Sequence, residues 1–192
     1  MSETPDARPP ELIEEKKFYE RFWALHDNPD LVEIYRAFGP AVFRRSSVLE
    51  GFGAFIKEVG FGGDLCVEIG TCYGLTAIVL ARHFKKVVSI DIDPNAQRNP
   101  IAAHLGIDNI NFMTVTDNAA KAGLLKYLKF DAAYIDGDHA RDTRSDFDLV
   151  KRCGNVLFHE YWPAQTPVWN LVHELAMTGK IKTSGKLALW TS

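Results

Sequence analysis

From residue 64 to the end of the chain, short apolar runs alternate with segments of helical periodicity. Each run predicts a buried β-strand, and each intervening segment predicts a helix. The predicted strands cover 65–69, 87–92, 110–115, 130–135 and 155–158, and the predicted helices cover 76–84, 95–105, 118–128, 143–152 and 167–177. The tail, 180–190, predicts two more strands joined near Ser184-Gly185. This alternation predicts an α/β fold, a doubly wound and mostly parallel seven-stranded sheet with helices on both faces.

The first 60 residues have a different pattern and predict an N-terminal helical extension. Residues 1–10 contain three prolines and little apolar content, which predicts a disordered tail. Residues 11–60 predict a helical cap with one helix over 11–26, a second capped by Asp30 and ended by Gly39-Pro40, and a third capped by Ser46 or Ser47 and ending near Val59. The core then occupies 61–192, in one domain overall. The cap could cover one side of a site or support a homo-oligomer, and the sequence leaves both open.

Composition excludes several classes of partner. The chain has 192 residues and a net charge of -3, and no stretch concentrates Lys and Arg, so we expect no nucleic-acid partner. No apolar run is as long as about 18 residues, the length that a membrane-spanning helix needs. The polar N-terminus lacks the pattern of a signal peptide. We therefore expect a cytoplasmic protein without a membrane partner. The three cysteines have no metal-binding spacing and predict free thiols.

Polar side chains follow the predicted strands at the edge where their carboxyl ends meet. The endings are Glu68 with the Gly70–Gly74 loop, Asp91, Thr116 to Asn118, Asp136 with Asp138 and His139, and His159 with Glu160. In open α/β sheets, ligands bind beyond the carboxyl ends of the strands. Five polar endings at one edge therefore predict a binding site.

The loop after the first predicted strand favours a ligand without phosphate. Gly70 and Gly74 have Gly-x-x-x-Gly spacing, which is neither the Gly-x-Gly-x-x-Gly of dinucleotide folds nor a P-loop. Glu68 would repel phosphate and attract a cation, such as the amino group of an amino acid. Asp91, about 20 residues beyond the loop, stands where an acidic side chain accepts hydrogen bonds from ribose hydroxyls. A ligand with an amino-acid end, a ribose and a base fits this pattern.

These segments also resemble a known family. Val67-Glu68-Ile69-Gly70-Thr71-Cys72-Tyr73-Gly74 resembles the first motif of class I S-adenosylmethionine-dependent methyltransferases, and 88–93 resembles their ribose-binding strand. Ile135-Asp136-Gly137-Asp138-His139 is similar to a motif of the small-molecule O-methyltransferases related to the catechol and caffeoyl-CoA enzymes, and 154–161 is similar to their fifth strand. The resemblance implies a Rossmann-like fold, S-adenosylmethionine as cofactor and a small-molecule acceptor whose hydroxyl is methylated.

The resemblance further implies roles for single residues. Residues implied to contact the cofactor are Glu68, Gly70, Thr71, Tyr73, Gly74, Asp91, Ile92, Asp117, Asn118 and Asp136. Within this set, Glu68 and Gly70 would line the methionine moiety and Asp91 would hold the ribose hydroxyls.

The sequence leaves two hypotheses open for how the acceptor hydroxyl loses its proton. Asp136 matches the first metal-binding aspartate of the catechol-type enzymes, whereas Glu160 and Tyr161 replace their aspartate and asparagine. Glu160 can still coordinate Mg²⁺ or another divalent cation, but Tyr161 is a poor replacement for an amide ligand. A metal on Asp136 and Glu160 would lower the pKa of the hydroxyl. Without a metal, His139 or His159 is the predicted general base.

Two other functions are compatible with such a chain. One is an NAD-dependent oxidoreductase on a related fold, which the missing Gly-x-Gly-x-x-Gly disfavours. The other is a non-catalytic, methyltransferase-like binding module, which the departures at Glu160 and Tyr161 make conceivable.

Overall fold

The computed structural model describes residues 28–44, 51–138 and 142–192, and a seven-stranded sheet forms its centre. The strands are β1 (Gly63–Ile69), β2 (Phe84–Asp91), β3 (Ile110–Thr114), β4 (Ala132–Ile135), β5 (Asn155–Phe158), β6 (Lys180–Ser184) and β7 (Leu187–Thr191). Their order in the sheet is β3-β2-β1-β4-β5-β7-β6. Strands β1 to β5 pair in parallel, and β7 is antiparallel to both neighbours. The predicted sheet is confirmed, and the strand order reverses between β1 and β4.

Helices cover both faces of this sheet. They are α1 (Pro29–Phe38), α2 (Ala41–Arg44), α3 (Phe52–Glu58), α4 (Leu75–Ala81), α5 (Arg98–His104), α6 (Asn118–Lys126), α7 (Thr143–Val150) and α8 (Thr166–Leu175). Buried side chains of α1 to α5 form one apolar cluster with the sheet, and those of α6 to α8 form a second cluster on the opposite face. The described N-terminal helices therefore add to the core of one face.

The helix starts in the N-terminal part differ from the prediction. Asn28, not Asp30, caps α1, because its Oδ1 accepts a hydrogen bond of 3.3 Å from the Leu31 amide. Asp30 instead pairs with Arg82 at 2.8 Å, which joins α1 to the end of α4. Helix α3 begins at Phe52 and has Gly51 at its N-cap position. Ser46 and Ser47, the predicted tail 1–10 and the predicted helix 11–26 lie outside the described residues.

Two element boundaries in the core differ from the predicted boundaries. The predicted helix 76–84 ends at Ala81, and Phe84 opens β2 in register with Gly63. Phe84 is buried in the sheet, so its apolar character fits a strand as well as a helix. Helix α5 begins at Arg98, which places Pro100 in the first turn, where no intrahelical hydrogen bond is lost.

Among the described helices, none combines the length and the apolar character needed to cross a membrane.

Candidate active site

A cavity of about 550 Å³ opens at the carboxyl ends of the parallel strands, where the strand order reverses. Its walls come from the loop after β1, the end of β2, the loop after β3, the end of β4 and the start of α7. Of the residues that the sequence predicted for the cofactor, it is lined by Gly70, Thr71, Asp91, Ile92, Asp117, Asn118 and Asp136. Glu68, Tyr73 and Gly74 do not line it.

Gly70 stands where the loops after β1 and β4 meet. Its φ is +93°, and a Cβ on it would lie 2.2 Å from the carbonyl oxygen of Asp136. Two backbone hydrogen bonds fix this approach: the Gly70 amide donates to Ile90 at 2.9 Å, and the Asp136 amide donates to Ile69 at 2.8 Å. Only glycine fits here, and its presence brings Asp136 to the edge of the cofactor loop.

Gly74 and Tyr73 have packing roles. Gly74 precedes α4 with φ +81°, and a Cβ on it would lie 2.9 Å from the Phe112 ring. Tyr73 packs against the apolar cluster of the first face. Both residues therefore help to place the loop and α4, and their contact with the cofactor stays a prediction.

Glu68 is fully buried behind the cavity wall. Its carboxyl group accepts hydrogen bonds from the hydroxyls of Thr76 and Ser89, and Ser89 in turn lies 2.6 Å from the Thr71 hydroxyl. Burial raises the pKa of Glu68 to about 8, because hydrogen bonds from the two hydroxyls offset only part of the lost solvation. Thr71 and Thr76 line the cavity, so Glu68 supports the cavity wall from behind, and its contact with the methionine moiety stays a prediction.

Asp91 holds the loop as well as facing the cavity. Its Oδ2 accepts hydrogen bonds of 2.7 Å from the backbone amides of Thr71 and Cys72, and its Oδ1 accepts one of 3.0 Å from the Asp93 amide. The guanidinium of Arg98 lies 3.1 Å from Oδ2 and donates to the carbonyl of Cys72 at 2.6 Å. Cys72 has a φ of +48°, an uncommon conformation that these contacts stabilise.

Sequence reasoning missed Arg98. Arg98 is only 3% exposed, although its place at the start of a helix would predict a solvent-exposed side chain. No local pattern marks it, because its partners are 7 and 26 residues away along the chain.

The end of β2 and the start of α6 form another wall of the cavity, which has an apolar residue at its edge and polar groups beside it. Ile92 is 73% exposed at the cavity edge, a position that suits contact with a flat base. Asp117 caps α6 by accepting a hydrogen bond of 2.7 Å from the Ala120 amide. The side-chain Nδ2 of Asn118 donates to Asp142 Oδ1 at 3.4 Å, which links the starts of α6 and α7.

A buried ion pair completes this wall and was also missed. Lys121 of α6 and Asp146 of α7 form a direct salt bridge, and both line the cavity. Lys121 is 8% exposed and Asp146 is 1% exposed. In the sequence each reads as a solvent-facing helix residue, since only the packing of α6 against α7 buries them.

Asp136, His159 and Glu160 form a chain of contacts beside the cavity. The Nδ1 of His159 lies 2.6 Å from Asp136 Oδ1, and its Nε2 lies 3.6 Å from Glu160 Oε1. Asp136 lines the cavity, whereas His159 is 2% exposed and lies behind it. Asp136 therefore faces the cavity, and His159 packs behind Asp136. His139 lies outside the described residues.

The residues expected to hold a divalent cation do not form a metal site. The ring of His159 separates the carboxylates of Asp136 and Glu160, which contact different nitrogens of that ring. Tyr161 turns away and stacks on Trp169 at a ring distance of 4.8 Å. No group of three or more His, Cys, Asp or Glu side chains in the described ranges is arranged to hold a metal ion. The predicted set Asp136 and Glu160 therefore does not fit a shared cation.

The cavity is strongly acidic. Among the described residues that line it there are six aspartates, Asp91, Asp117, Asp136, Asp138, Asp142 and Asp146, and one lysine, Lys121. Lys121 is already paired with Asp146. A field of this sign favours a cationic ligand and disfavours a pyrophosphate.

The strand order and the cavity at its reversal point define an open α/β protein that binds a ligand at the carboxyl edge of the sheet. Residues 67–161 match the family model described as a methyltransferase domain. The family match and the fold together identify the chain as a class I S-adenosylmethionine-dependent methyltransferase. No curated protein matches the sequence.

Solved structures with the same fold include several methyltransferases. An O-methyltransferase from Bacillus cereus in complex with SAH has a TM-score of 0.67 at 16% identity, over 86% of this chain and 91% of that chain. A protein assigned as a caffeoyl-CoA O-methyltransferase from Staphylococcus aureus has a TM-score of 0.69 at 15% identity, over 92% and 99%. The precorrin 8w decarboxylase from Methanobacterium thermoautotrophicum has a TM-score of 0.61 at 16% identity, over 80% and 94%. At these identities the likeness establishes the fold.

Proposed function

We propose that this methyltransferase transfers the methyl group of S-adenosylmethionine to a hydroxyl of a small molecule. The observation that carries the proposal is the acidic cavity at the edge where Gly70, Asp91 and Asp136 meet. Its volume, about 550 Å³, lies within the range of small-molecule sites. The similar O-methyltransferase from Bacillus cereus, which was solved with SAH, supports the choice of acceptor group.

The residues that line the cavity support a position for the methionine, the ribose and the adenine of the cofactor. The cradle at Gly70, which a Cβ would fill, would take the methionine end together with Thr71. Asp91 would bind the ribose through Oδ1, which accepts one hydrogen bond, from the Asp93 amide, whereas Oδ2 accepts two from the loop. Ile92 and Asn118 would contact the adenine.

The acidic lining distinguishes the cofactor from its alternatives. S-adenosylmethionine carries a sulfonium and an ammonium group, and both favour a cavity with six aspartates and one lysine. The pyrophosphate of NAD would be repelled by the same field. Nucleic acid, as an acceptor, would meet the same repulsion, so a small molecule is the proposed acceptor.

Asp136 and His159 are proposed to receive the acceptor's proton. When bound, S-adenosylmethionine would supply an electrophilic methyl group. The acceptor oxygen would bond to that methyl carbon as the carbon–sulfur bond breaks, which would release S-adenosylhomocysteine. Asp136 faces the cavity and would accept the hydroxyl proton. His159 holds the carboxylate through its Nδ1 at 2.6 Å and fixes its orientation.

A paired binding and transfer experiment tests this function. Calorimetric titration of the purified chain should show binding of S-adenosylmethionine and S-adenosylhomocysteine and no binding of NAD. Transfer of a labelled methyl group to a panel of phenols, sugars and aliphatic alcohols should then identify an acceptor. Binding of NAD without S-adenosylmethionine would contradict the proposal, and binding of the cofactor with no transfer to any hydroxyl would favour the non-catalytic module.

A matched pair of variants links the activity to the site. Asp136→Asn should reduce the rate of transfer about 100-fold while leaving cofactor binding largely intact, since it removes the proton acceptor. Asp108→Asn is the control, because Asp108 is exposed and precedes β3 at the opposite edge of the sheet. Equal rates in the two variants would remove Asp136 from the mechanism.

A further inference from the structure

The imidazole ring of His159 contacts one carboxylate through each of its two nitrogens. Asp136 Oδ1 lies 2.6 Å from its Nδ1, and Glu160 Oε1 lies 3.6 Å from its Nε2. Carboxylates that share a divalent cation each approach it to about 2.0–2.6 Å. An imidazole ring in this position prevents that approach.

The second oxygens of both carboxylates are also engaged. The Tyr134 hydroxyl donates to Asp136 Oδ2 at 3.3 Å, and the Trp162 indole donates to Glu160 Oε2 at 2.6 Å. The ammonium group of Lys186 lies 3.6 Å from Glu160 Oε1. A cation on Glu160 would therefore compete with the indole donor and with the charge of Lys186, which weaken its binding, whereas the His159 ring blocks the position itself.

Backbone geometry holds this arrangement in place. Glu160 has a φ of +56°, which directs its side chain back toward Trp162 and the His159 ring. The next residue, Tyr161, stacks on Trp169 of α8 with an interplanar angle of 14°. The side chains of His159, Glu160 and Tyr161, which follow β5, are therefore all engaged in contacts within the protein.

We propose that the imidazole ring of His159 takes the position of a divalent cation between Asp136 and Glu160, and that methyl transfer by this chain requires no metal. The proposal deepens the proposed function, on which it rests. The acceptor proton passes to the Asp136 carboxylate, and no Lewis acid takes part. His159 acts as a positioning residue, because it does not line the cavity itself and contacts Asp136, which does.

Binding of Mn²⁺ measured by electron paramagnetic resonance tests the proposal without an acceptor. The protein saturated with S-adenosylhomocysteine should bind no Mn²⁺ at this site. His159→Ala should gain Mn²⁺ binding, because the two carboxylates then face one gap. The double variant with Glu160→Gln should lose that binding, because one of the two carboxylates is then missing.

Three results would overturn the proposal. The first is wild-type Mn²⁺ binding that Glu160→Gln abolishes. The second is a folded His159→Ala variant that binds no Mn²⁺, since the ring would then not occupy a cation position. The third is wild-type transfer that EDTA abolishes and Mg²⁺ restores. The wild-type measurements remain decisive even when the alanine variant does not fold.

Added imidazole provides a second readout for His159. It should restore methyl transfer in His159→Ala by filling the gap between the carboxylates, an effect that a purely structural role elsewhere in the fold would not produce. Failure of cofactor binding would reject the proposed function, whereas the Mn²⁺ result would still report on the site. The two proposals therefore fail in distinguishable ways.

Discussion

Burial changes the proton equilibrium of Glu68 relative to an exposed glutamate. Its pKa rises to about 8 in the folded protein, mainly through lost solvation, from an ordinary value near 4.5. Between these values the folded chain holds a proton that the unfolded chain releases. The contribution of this group to stability is therefore fully present at low pH and is lost as the pH rises toward about 8.

Glu68→Gln should remove this dependence. Gln is neutral at every pH, so the free energy of unfolding should fall less between about pH 5 and pH 8 in the variant, by a few kcal/mol. Urea unfolding at several pH values measures the difference. Glu58→Gln, at an exposed position, is the control and should keep the wild-type slope. Identical slopes for the wild type and Glu68→Gln would contradict the raised pKa.

Gly70→Ala tests the contact between the two loops. The new methyl group would meet the Asp136 carbonyl at 2.2 Å, and the positive φ of +93° adds backbone strain, so we expect a loss of about 2–4 kcal/mol. Gly106→Ala is the matched control, because φ is +63° there and nothing lies within 4 Å of the added Cβ. Thermal unfolding of both variants separates the steric effect from the strain. Equal losses would argue against the close approach.

Arg98→Met tests whether Asp91 needs its buried partner to shape the cofactor loop. We expect about tenfold weaker binding of S-adenosylhomocysteine, because Asp91 loses a charged contact worth about 1.5–3 kcal/mol and the Cys72 carbonyl loses its donor. Calorimetry on Arg98→Met and on the exposed control Arg36→Met measures the change. Unchanged affinity in Arg98→Met would show that the loop keeps its shape without the guanidinium.

At the scale of elements, the Lys121–Asp146 pair joins α6 to α7 beneath the cavity. Lys121→Met should destabilise the fold by about 3–5 kcal/mol, because Asp146 remains buried without its lysine partner. The double variant Lys121→Met/Asp146→Leu should recover most of that loss, since no buried charge is left. Urea unfolding of the single and double variants measures the coupling, and additive losses would contradict it.

The exposed pair Lys151–Asp148 is the control for that measurement. Its ammonium and carboxylate lie 2.7 Å apart, but both side chains are about half exposed. Lys151→Met should change stability by about 0–1 kcal/mol. The contrast between the two lysines would show that burial, not pairing alone, sets the size of the effect.

Element boundaries show where sequence reasoning reaches its limit. Strand β5 matches its predicted range, because polar or glycine residues bound the apolar run on both sides. The predicted junction of α4 and β2 was wrong by several residues, because the mostly apolar stretch from Leu75 to Phe84 does not show by itself where the helix ends. The register of β2 with β1 fixes that boundary. The N-cap of α1 was assigned to Asp30, which instead pairs with Arg82, 52 residues away.

At the scale of the whole molecule, the cofactor should stabilise the fold by binding only its native form. S-adenosylhomocysteine at about 100 times its dissociation constant should raise the free energy of unfolding by about 2.7 kcal/mol. A thermal shift assay measures this, with NAD at the same concentration as the control. No shift with S-adenosylhomocysteine, or an equal shift with NAD, would contradict the proposed cofactor.

The sequence by itself determined the alternation of strands and helices, the mostly parallel sheet and the edge at which polar residues gather. These depend on periodicity and on the rule that parallel strands end together, which are local or general properties. It also placed Gly70, Asp91 and Asp136 at that edge, and all three line the cavity.

Only the tertiary structure decided what each of these side chains does. Asp91 contacts the loop and Arg98 while it also faces the cavity. Glu68 is buried behind the cavity wall. His159 contacts Asp136 through one ring nitrogen and Glu160 through the other. Each of these outcomes depends on partners from different elements and on the burial that their packing creates. Solvation and charge pairing act through space, so residue types and spacing along the chain do not contain them.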